Sequence, residues 1–448
     1  MTQPSEGASS EAPYDDVGRR EVFGWAMYDF ANSSYTTVII TVCYSVVFPR
    51  LIVGDGPDYR MGNLLWSIAL SASNLLVVLT LPVLGAVMDQ VGRRKGFLAA
   101  STVLTATATA GLALAGPGDV ALAMGLVIVS AYGFALGESF IASFLPDLGA
   151  PDDLGRISGM AWGLGYVGGL MSTAIVLFGL GPAELDNMAR QRWIGPITAA
   201  WFVLAALPTF LLLRDRAQPR GELGADVLRA SVRQLVQTAR ELSHYRDLAT
   251  FLVSYLFAMA GLSIVISFAF IYGDQVIGWS NGTKAGMFVI TQITATAGAL
   301  GFGWLQPRLG DKPTYAITLV IWLASVVLIW ATPRVAELAR ALSGADLGDE
   351  HVFLGVGALA GLCIGATQSA SRTLIALFSP PDKVGEFFGL WGVFGKLAAV
   401  VGLLSLGALQ SMMGLVDGVL ITGVFFLVAL AVLVGVDAER GRRAARHG

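Results

Sequence analysis

Long apolar runs separated by short polar punctuation dominate the chain. Twelve of them, near residues 24–50, 61–88, 96–116, 119–145, 157–180, 193–213, 248–273, 283–306, 313–332, 352–378, 386–411 and 414–436, are each long enough to cross a bilayer. The pattern predicts an all-α polytopic membrane protein with 12 transmembrane helices in two groups of six. The stretch 214–247 between the groups is the one long polar connection inside the apolar body. Within it Val227, Leu228, Val232, Leu235, Val236 and Leu242 recur at helical spacing against Arg229, Arg233 and Arg240. That spacing fits a basic amphipathic helix on the inner membrane face, or a solvated linker helix. The expected organisation is a disordered cytoplasmic tail over 1–19, a six-helix bundle over 20–213, and the linker over 214–247. A second six-helix bundle over 248–438 and a cytoplasmic tail over 439–448 follow.

Composition agrees with the pattern. The 448 residues are 55% hydrophobic and only 14% charged, too little polar surface for a soluble protein of this size. With both termini on one side, that side collects 20 of the 29 Lys and Arg residues and the other side 7, while Arg372 and Lys396 fall inside spans. The bias puts both termini in the cytoplasm and favours an even number of spans. A net charge of −3 with dispersed cations gives no footprint for nucleic acid. Cys43 and Cys363 lie in apolar runs, and His244, His351 and His447 are far apart, so no disulfide framework, metal or cofactor is expected. The opening residues have no apolar core of a signal peptide.

The two groups repeat each other. Gly85, Asp89, Gly92 and Lys95 close the second span, and Gly303, Pro307, Gly310 and Lys312 close the eighth, with both glycines shifted by 218. Pro151-Asp152 with Gly155 and Gly159 enters the fifth span as Pro381-Asp382 with Gly385 and Gly389 enters the eleventh. Tyr28, Phe30 and Ala31 in the first span echo Tyr255, Phe257 and Ala258 in the seventh. Each pair sits at the same place in its half and on the same side, which implies a parallel duplication of a six-helix unit.

Several polar residues stand inside apolar spans. Asp29, Asn32, Ser33 and Thr36 are spaced i, i+3, i+4 and i+7 and form one stripe on the first helix, flanked by Tyr28 and Tyr35. Lipid cannot satisfy such a stripe, so it faces protein or a water-filled cavity. Glu138 in the fourth span lies roughly 12 Å from the cytoplasmic end, and Lys396 roughly 15 Å into the eleventh. Gln368 and Arg372 share a face of the tenth. Intramembrane charges are costly and mark functional positions. An acid in one half and bases in the other suggest a pair that forms or breaks as the halves move, or a permanent structural pair. Glu138 and Asp29 are the candidates for proton coupling. Gly163-Leu-Gly165-Tyr-Val-Gly168 has the letters of a dinucleotide fingerprint but sits inside an apolar span, where its glycines serve helix packing.

Gly85-x-x-x-Asp89-x-x-Gly92-Arg93-Arg94-Lys95 resembles the loop signature of the major facilitator superfamily. Trp25-Ala-Met-Tyr28-Asp29-Phe-Ala31-Asn32-Ser33, Phe144-Leu-Pro146, Gly165-Tyr166-Val-Gly168-Gly169, Gln368-Ser-Ala-Ser371-Arg372 and Glu386-Phe-Phe-Gly389-Leu-Trp-Gly-Val-Phe-Gly395-Lys396 are similar to signatures of its vacuole effluxer-like branch. The chain departs from that branch at Ala260-Gly261, usually Asp-Gly, and at Ile141-Ala142, commonly Tyr-Asn. The resemblance implies the major facilitator fold, a site between the first, fourth, seventh and tenth helices, and a transporter rather than an enzyme. It implies a conformational latch in which Asp89 caps the eleventh helix near Glu386, with Gly85, Gly92, Arg93, Arg94 and Lys95 shaping the loop. Arg93, Arg94 and Lys95 serve equally as topology determinants. The implied substrate is a small molecule, a neutral amino acid being exported, with or without protons. No ATP-binding loop is present, so transport uses a gradient or is facilitated. The rival expectations are a proton-coupled exporter of hydrophobic or drug-like compounds and a non-transporting receptor or scaffold. Arg-, Ala- and Gly-rich usage suggests a bacterial plasma membrane, and a monomer in the lipid bilayer is expected.

Overall fold

The computed structural model describes residues 17–54, 60–181, 187–217, 245–343, 348–413 and 415–447, together with Arg229 and Arg233. The expected tail lies almost wholly outside these residues. So does the amphipathic linker helix, apart from those two arginines.

The described chain is a succession of long helices. They are α1 (Arg19–Val53), α2 (Arg60–Val91), α3 (Arg94–Gly111), α4 (Val120–Ala142), α5 (Leu154–Leu180) and α6 (Ile194–Leu212). After the linker come α7 (Arg246–Tyr272), α8 (Asn281–Leu309), α9 (Asp311–Ser343), α10 (Asp349–Phe378), α11 (Val384–Met413) and α12 (Leu415–Val434). Eleven are long and apolar enough to cross a membrane, and α12 with its bent continuation makes a twelfth. That continuation is α13 (Ala438–His447), turned by 66°, so the residues expected as a tail form an ordered helix. Phe178, Leu211, Leu204 and Leu79 project outward and are exposed. Such a girdle would drive a soluble protein to aggregate, whereas lipid solvates it.

The face carrying Arg19, Arg94, Arg156 and the end of α12, called the basic face below, shows the duplication in its bonds. Gly92 and Gly310, which end α2 and α8, both adopt positive φ, 61° and 87°. Lys95 Nζ donates to the carbonyl of Leu213 at 2.7 Å, and Lys312 Nζ to that of Val434 at 3.1 Å, so each lysine neutralises the C-terminal end of its half's last helix. Glu21 at the start of α1 holds Arg216 after α6, and Asp247 at the start of α7 holds Arg440 after α12. Arg94 is spent inside the first half, 2.7 Å from Asp147, while Arg93 is exposed.

α1 is not one regular helix. From Tyr35 to Val42 its turns widen, with Cys43 N–H bonding Val38 O and Thr41 Oγ1 bonding Thr36 O, both five residues back. The run Thr36-Thr37-Val38-Ile39-Ile40-Thr41-Val42 is wholly β-branched. Crowding of such side chains against the preceding turn weakens a regular helix, and wide turns gather at functional sites.

Candidate functional site: a cavity between the two halves

A cavity of about 250 Å³ lies between α1 and α5 on one side and α7, α8 and α10 on the other. Ser33, Thr36, Thr37 and Thr41 of α1 form one wall, and Trp162 and Tyr166 of α5 adjoin it. Thr291 and Gln292 of α8, Gln368 of α10 and a set of aliphatic and aromatic side chains complete it. Met287 and Phe353 come from the first two turns of α8 and α10, so the cavity runs from mid-membrane toward the face opposite the basic one.

Toward the basic face the two halves touch. Arg372 of α10 enters the first half and is 1% exposed. Its Nη1 lies 2.5 Å from Asp29 Oδ2, and its guanidinium stands 4.5 Å from the ring centre of Trp162 and 5.5 Å from that of Trp25. Trp25 is itself fixed by a 2.7 Å hydrogen bond from Nε1 to Ile141 O. The cation is thus paired once by charge and twice by aromatic faces, all from the other half. Above it Tyr166 donates to Gln368 Oε1, and below it Ser158 Oγ donates to Ser369 O at 3.0 Å.

A second pair crosses the same boundary. Lys396 Nζ of α11 lies 3.8 Å from Glu138 Oε2 of α4, with their side chains 23% and 27% exposed. Lys396 also stands 5.9 Å from the ring of Phe134.

Asp89 sits where α2 meets α11. Its Oδ1 accepts from Gly385 N at 2.9 Å and its Oδ2 from Glu386 N at 3.0 Å, the first free amides of α11. Gly85 lies against the backbone of Gly385, where any Cβ would collide with a carbonyl. The partner interface has the same plan. Gly303 of α8 lies against Gly155 O and Gly159 of α5, but Pro307 replaces the aspartate, and the neutral Gln306 packs on Gly155 instead.

The sequence-derived stripe therefore divides. Asp29 and Asn32 are buried, Ser33 and Thr36 line the cavity, and Thr37 and Thr41 join them because the wide turns shift the register. Tyr28 and Tyr35 turn away from the cavity into the first half: Tyr28 bonds Thr102 at 3.0 Å, and Tyr35 bonds Ser130 at 2.7 Å and stacks on Phe134. Gln368 lines the cavity, Arg372 lies beneath it, and Glu138 and Lys396 stand together. The glycines at 165 and 168 lie against the backbone of α1 at Asp29 and Phe30. Among the described residues no group of His, Cys, Asp or Glu could hold a metal ion.

A family model described as "Vacuole effluxer Atg22 like" matches residues 65–446. The chain belongs to that family. It is similar to the uncharacterized MFS-type transporter YxiO of Bacillus subtilis, 25% identical over 416 residues that cover 91% of this chain and 92% of that one. It is also 21% identical to autophagy-related protein 22-1 of Aspergillus niger over 64% of this chain, and the match spans only 48% of that longer protein. Among solved structures, the human organic anion transporter MFSD10 superposes with a TM-score of 0.67 at 18% identity over 93% of this chain and 99% of that one. The proton:xylose symporter XylE superposes with a TM-score of 0.69 at 13% identity over 92% and 94%. The fold is that of the major facilitator superfamily, and the protein is a multi-pass integral membrane protein. The vacuole effluxer-like family and these structural neighbours are transporters, not enzymes.

The two departures from the family's pattern fall outside the cavity wall. Ala260 is buried against Gly402, Gly261 against Phe426, and Ile141 offers its carbonyl to Trp25. Sequence reasoning named Trp25 and Tyr166 only within family signatures and gave them no place in the site, and it passed over Trp162, Thr291 and Gln292. Trp162 and Tyr166 stand one turn apart, and Gln292 is an amide in the middle of an apolar span, so both carried a signal of an inward-facing surface.

Proposed function

We propose that the protein is a secondary transporter that exports a small metabolite, neutral amino acids being the class the family resemblance implies, by alternating access. The observation that carries this reading is Arg372, which belongs to one half and is lodged among Asp29, Trp25 and Trp162 of the other, beneath a cavity shared by both. With the Lys and Arg bias placing the basic face in the cytoplasm, the described conformation is closed inward, and its cavity belongs to the outside. Opening inward separates α2 from α11 and α5 from α8. It breaks the Asp89 bonds to Gly385 and Glu386, the Ser158–Ser369 bond and both cross-half ion pairs.

The Asp89 contact has the right strength for this work. Two hydrogen bonds to a charged acceptor contribute about 1.5–3 kcal/mol each, enough to bias a two-state equilibrium without freezing it. Asp29 and Glu138 are the carboxylates a proton would use, since both lie on the moving boundary. The cavity, at about 250 Å³, falls below the ~300–1,000 Å³ of pockets that take drug-sized ligands, which favours a metabolite over a bulky lipophilic compound. A bacterial plasma membrane, with both termini cytoplasmic and the protein acting as a monomer, completes the reading.

Counterflow in proteoliposomes tests it. Labelled leucine, isoleucine and tyrosine are offered to vesicles preloaded with the unlabelled amino acid, without any ion gradient. Saturable uptake supports alternating access with an amino acid in the cavity. Folded protein that gives no uptake of any of the three removes the amino-acid assignment.

A further inference from the structure

The two cross-half ion pairs are chemically unlike. Asp29 and Arg372 are 8% and 1% exposed at the side chain and share a 2.5 Å hydrogen bond. Glu138 and Lys396 are 27% and 23% exposed and stand 3.8 Å apart, beyond hydrogen-bond reach. Neither makes a hydrogen bond to any other described residue. A carboxylate and an ammonium in mid-membrane with their hydrogen-bonding capacity unfilled are expensive. Water can fill it, and so can a ligand that brings the opposite charges.

The surroundings favour the ligand. Lys396 projects over Phe134, which is itself stacked on Tyr35, and the hydroxyl and ring edge of Tyr255 lie against Gly395, the residue before Lys396. Tyr255 stacks on Trp391, at 5.7 Å between ring centres, one helical turn before Gly395 and Lys396. The pair is thus bordered by flat apolar surface, where an added ion pair gains more than it would in water.

We infer that Glu138 and Lys396 form the head-group subsite of the transporter. Glu138 receives a substrate ammonium and Lys396 a substrate carboxylate, so the loose pair opens to take both ends of a zwitterion. The inference rests on the transport reading above and deepens it. An ammonium alone would satisfy Glu138 and strand Lys396, and a carboxylate alone would do the reverse, so the intact pair rejects both. Because the two residues come from opposite halves, the bound zwitterion also bridges them.

The test compares leucine with two analogues that each lack one charge, leucinol (ammonium only) and 4-methylpentanoate (carboxylate only). Binding is read as thermal stabilisation of purified protein, and transport separately as counterflow. Wild-type protein is stabilised by leucine and by neither analogue. Lys396→Met loses leucine affinity by roughly tenfold or more and gains leucinol, while Glu138→Gln loses leucine to the same extent and gains 4-methylpentanoate. A wild type stabilised by none of the three, variants with the wild-type ligand profile, or folded variants that bind nothing would each overturn the subsite. The swapped profile without counterflow keeps the subsite and removes the transport reading. Wild-type counterflow with no swap does the opposite.

Discussion

Arg372 of α10 and Asp29 of α1 meet 2.5 Å apart across the boundary between the two six-helix sets, both withdrawn from solvent. Breaking such a pair from one side leaves an uncompensated buried charge and costs about 3–5 kcal/mol, whereas removing both charges together can be neutral. Arg372→Met and Asp29→Asn should each lower the unfolding temperature in detergent. The double variant should be more stable than either single one. A double variant as unstable as the sum of its parts would contradict the pairing.

Asp89→Asn keeps the shape of the contact with Gly385 and Glu386 but removes its charge. The α2–α11 closure should loosen, shifting the equilibrium toward a basic-face-open state by tenfold or more if about 1.5–3 kcal/mol is lost. Spin labels on Asp152→Cys and Lys383→Cys, one in each half on that face, should report a longer distance population in the variant. An unchanged distribution would reduce Asp89 to a local cap.

Much of this architecture was legible in the chain. Apolar runs gave the spans because lipid demands a continuous apolar surface, and Gly85 and Gly303 gave the repeat because close helix contact tolerates nothing larger. Arg372 and Lys396 stood out by their cost inside a span. What stayed hidden depends on rotation about a helix axis. Regular spacing placed Tyr28 and Tyr35 beside the cavity, yet both serve packing within the first half. The wide turns after Ser34 brought Thr37 and Thr41 round instead. A cross-half pairing of acid and base was suggested, but which base meets which acid was not, since pairing across 343 residues, as between Asp29 and Arg372, leaves no mark in local pattern.

Thr36 lines the cavity and is exposed. Thr36→Trp should fill the space and abolish counterflow while leaving yield and unfolding temperature near wild type. Retained flux would place the route of the solute elsewhere.

Lys95 and Lys312 each bond the carbonyl end of their own half's final helix. Lys95→Met and Lys312→Met should each cost about 0.3–1 kcal/mol, and the two losses should add, since the sites share no partner. Thermal unfolding of the single and double variants checks this. A strongly non-additive double variant would mean that the two ends communicate.

The contacts of Gly85 with Gly385 and of Gly303 with Gly155 and Gly159 are two copies of one arrangement. Each half presents the same two faces to its neighbour, as the subunits of a twofold dimer do, so a single six-helix chain carrying both faces would be self-complementary. In such a homodimer every substitution strikes both closures at once. Fusion into one polypeptide frees them, and here one has kept a carboxylate at Asp89 while the other carries the amide of Gln306. The two seams of the same face can thus differ in strength, and the chain is able to yield along one before the other.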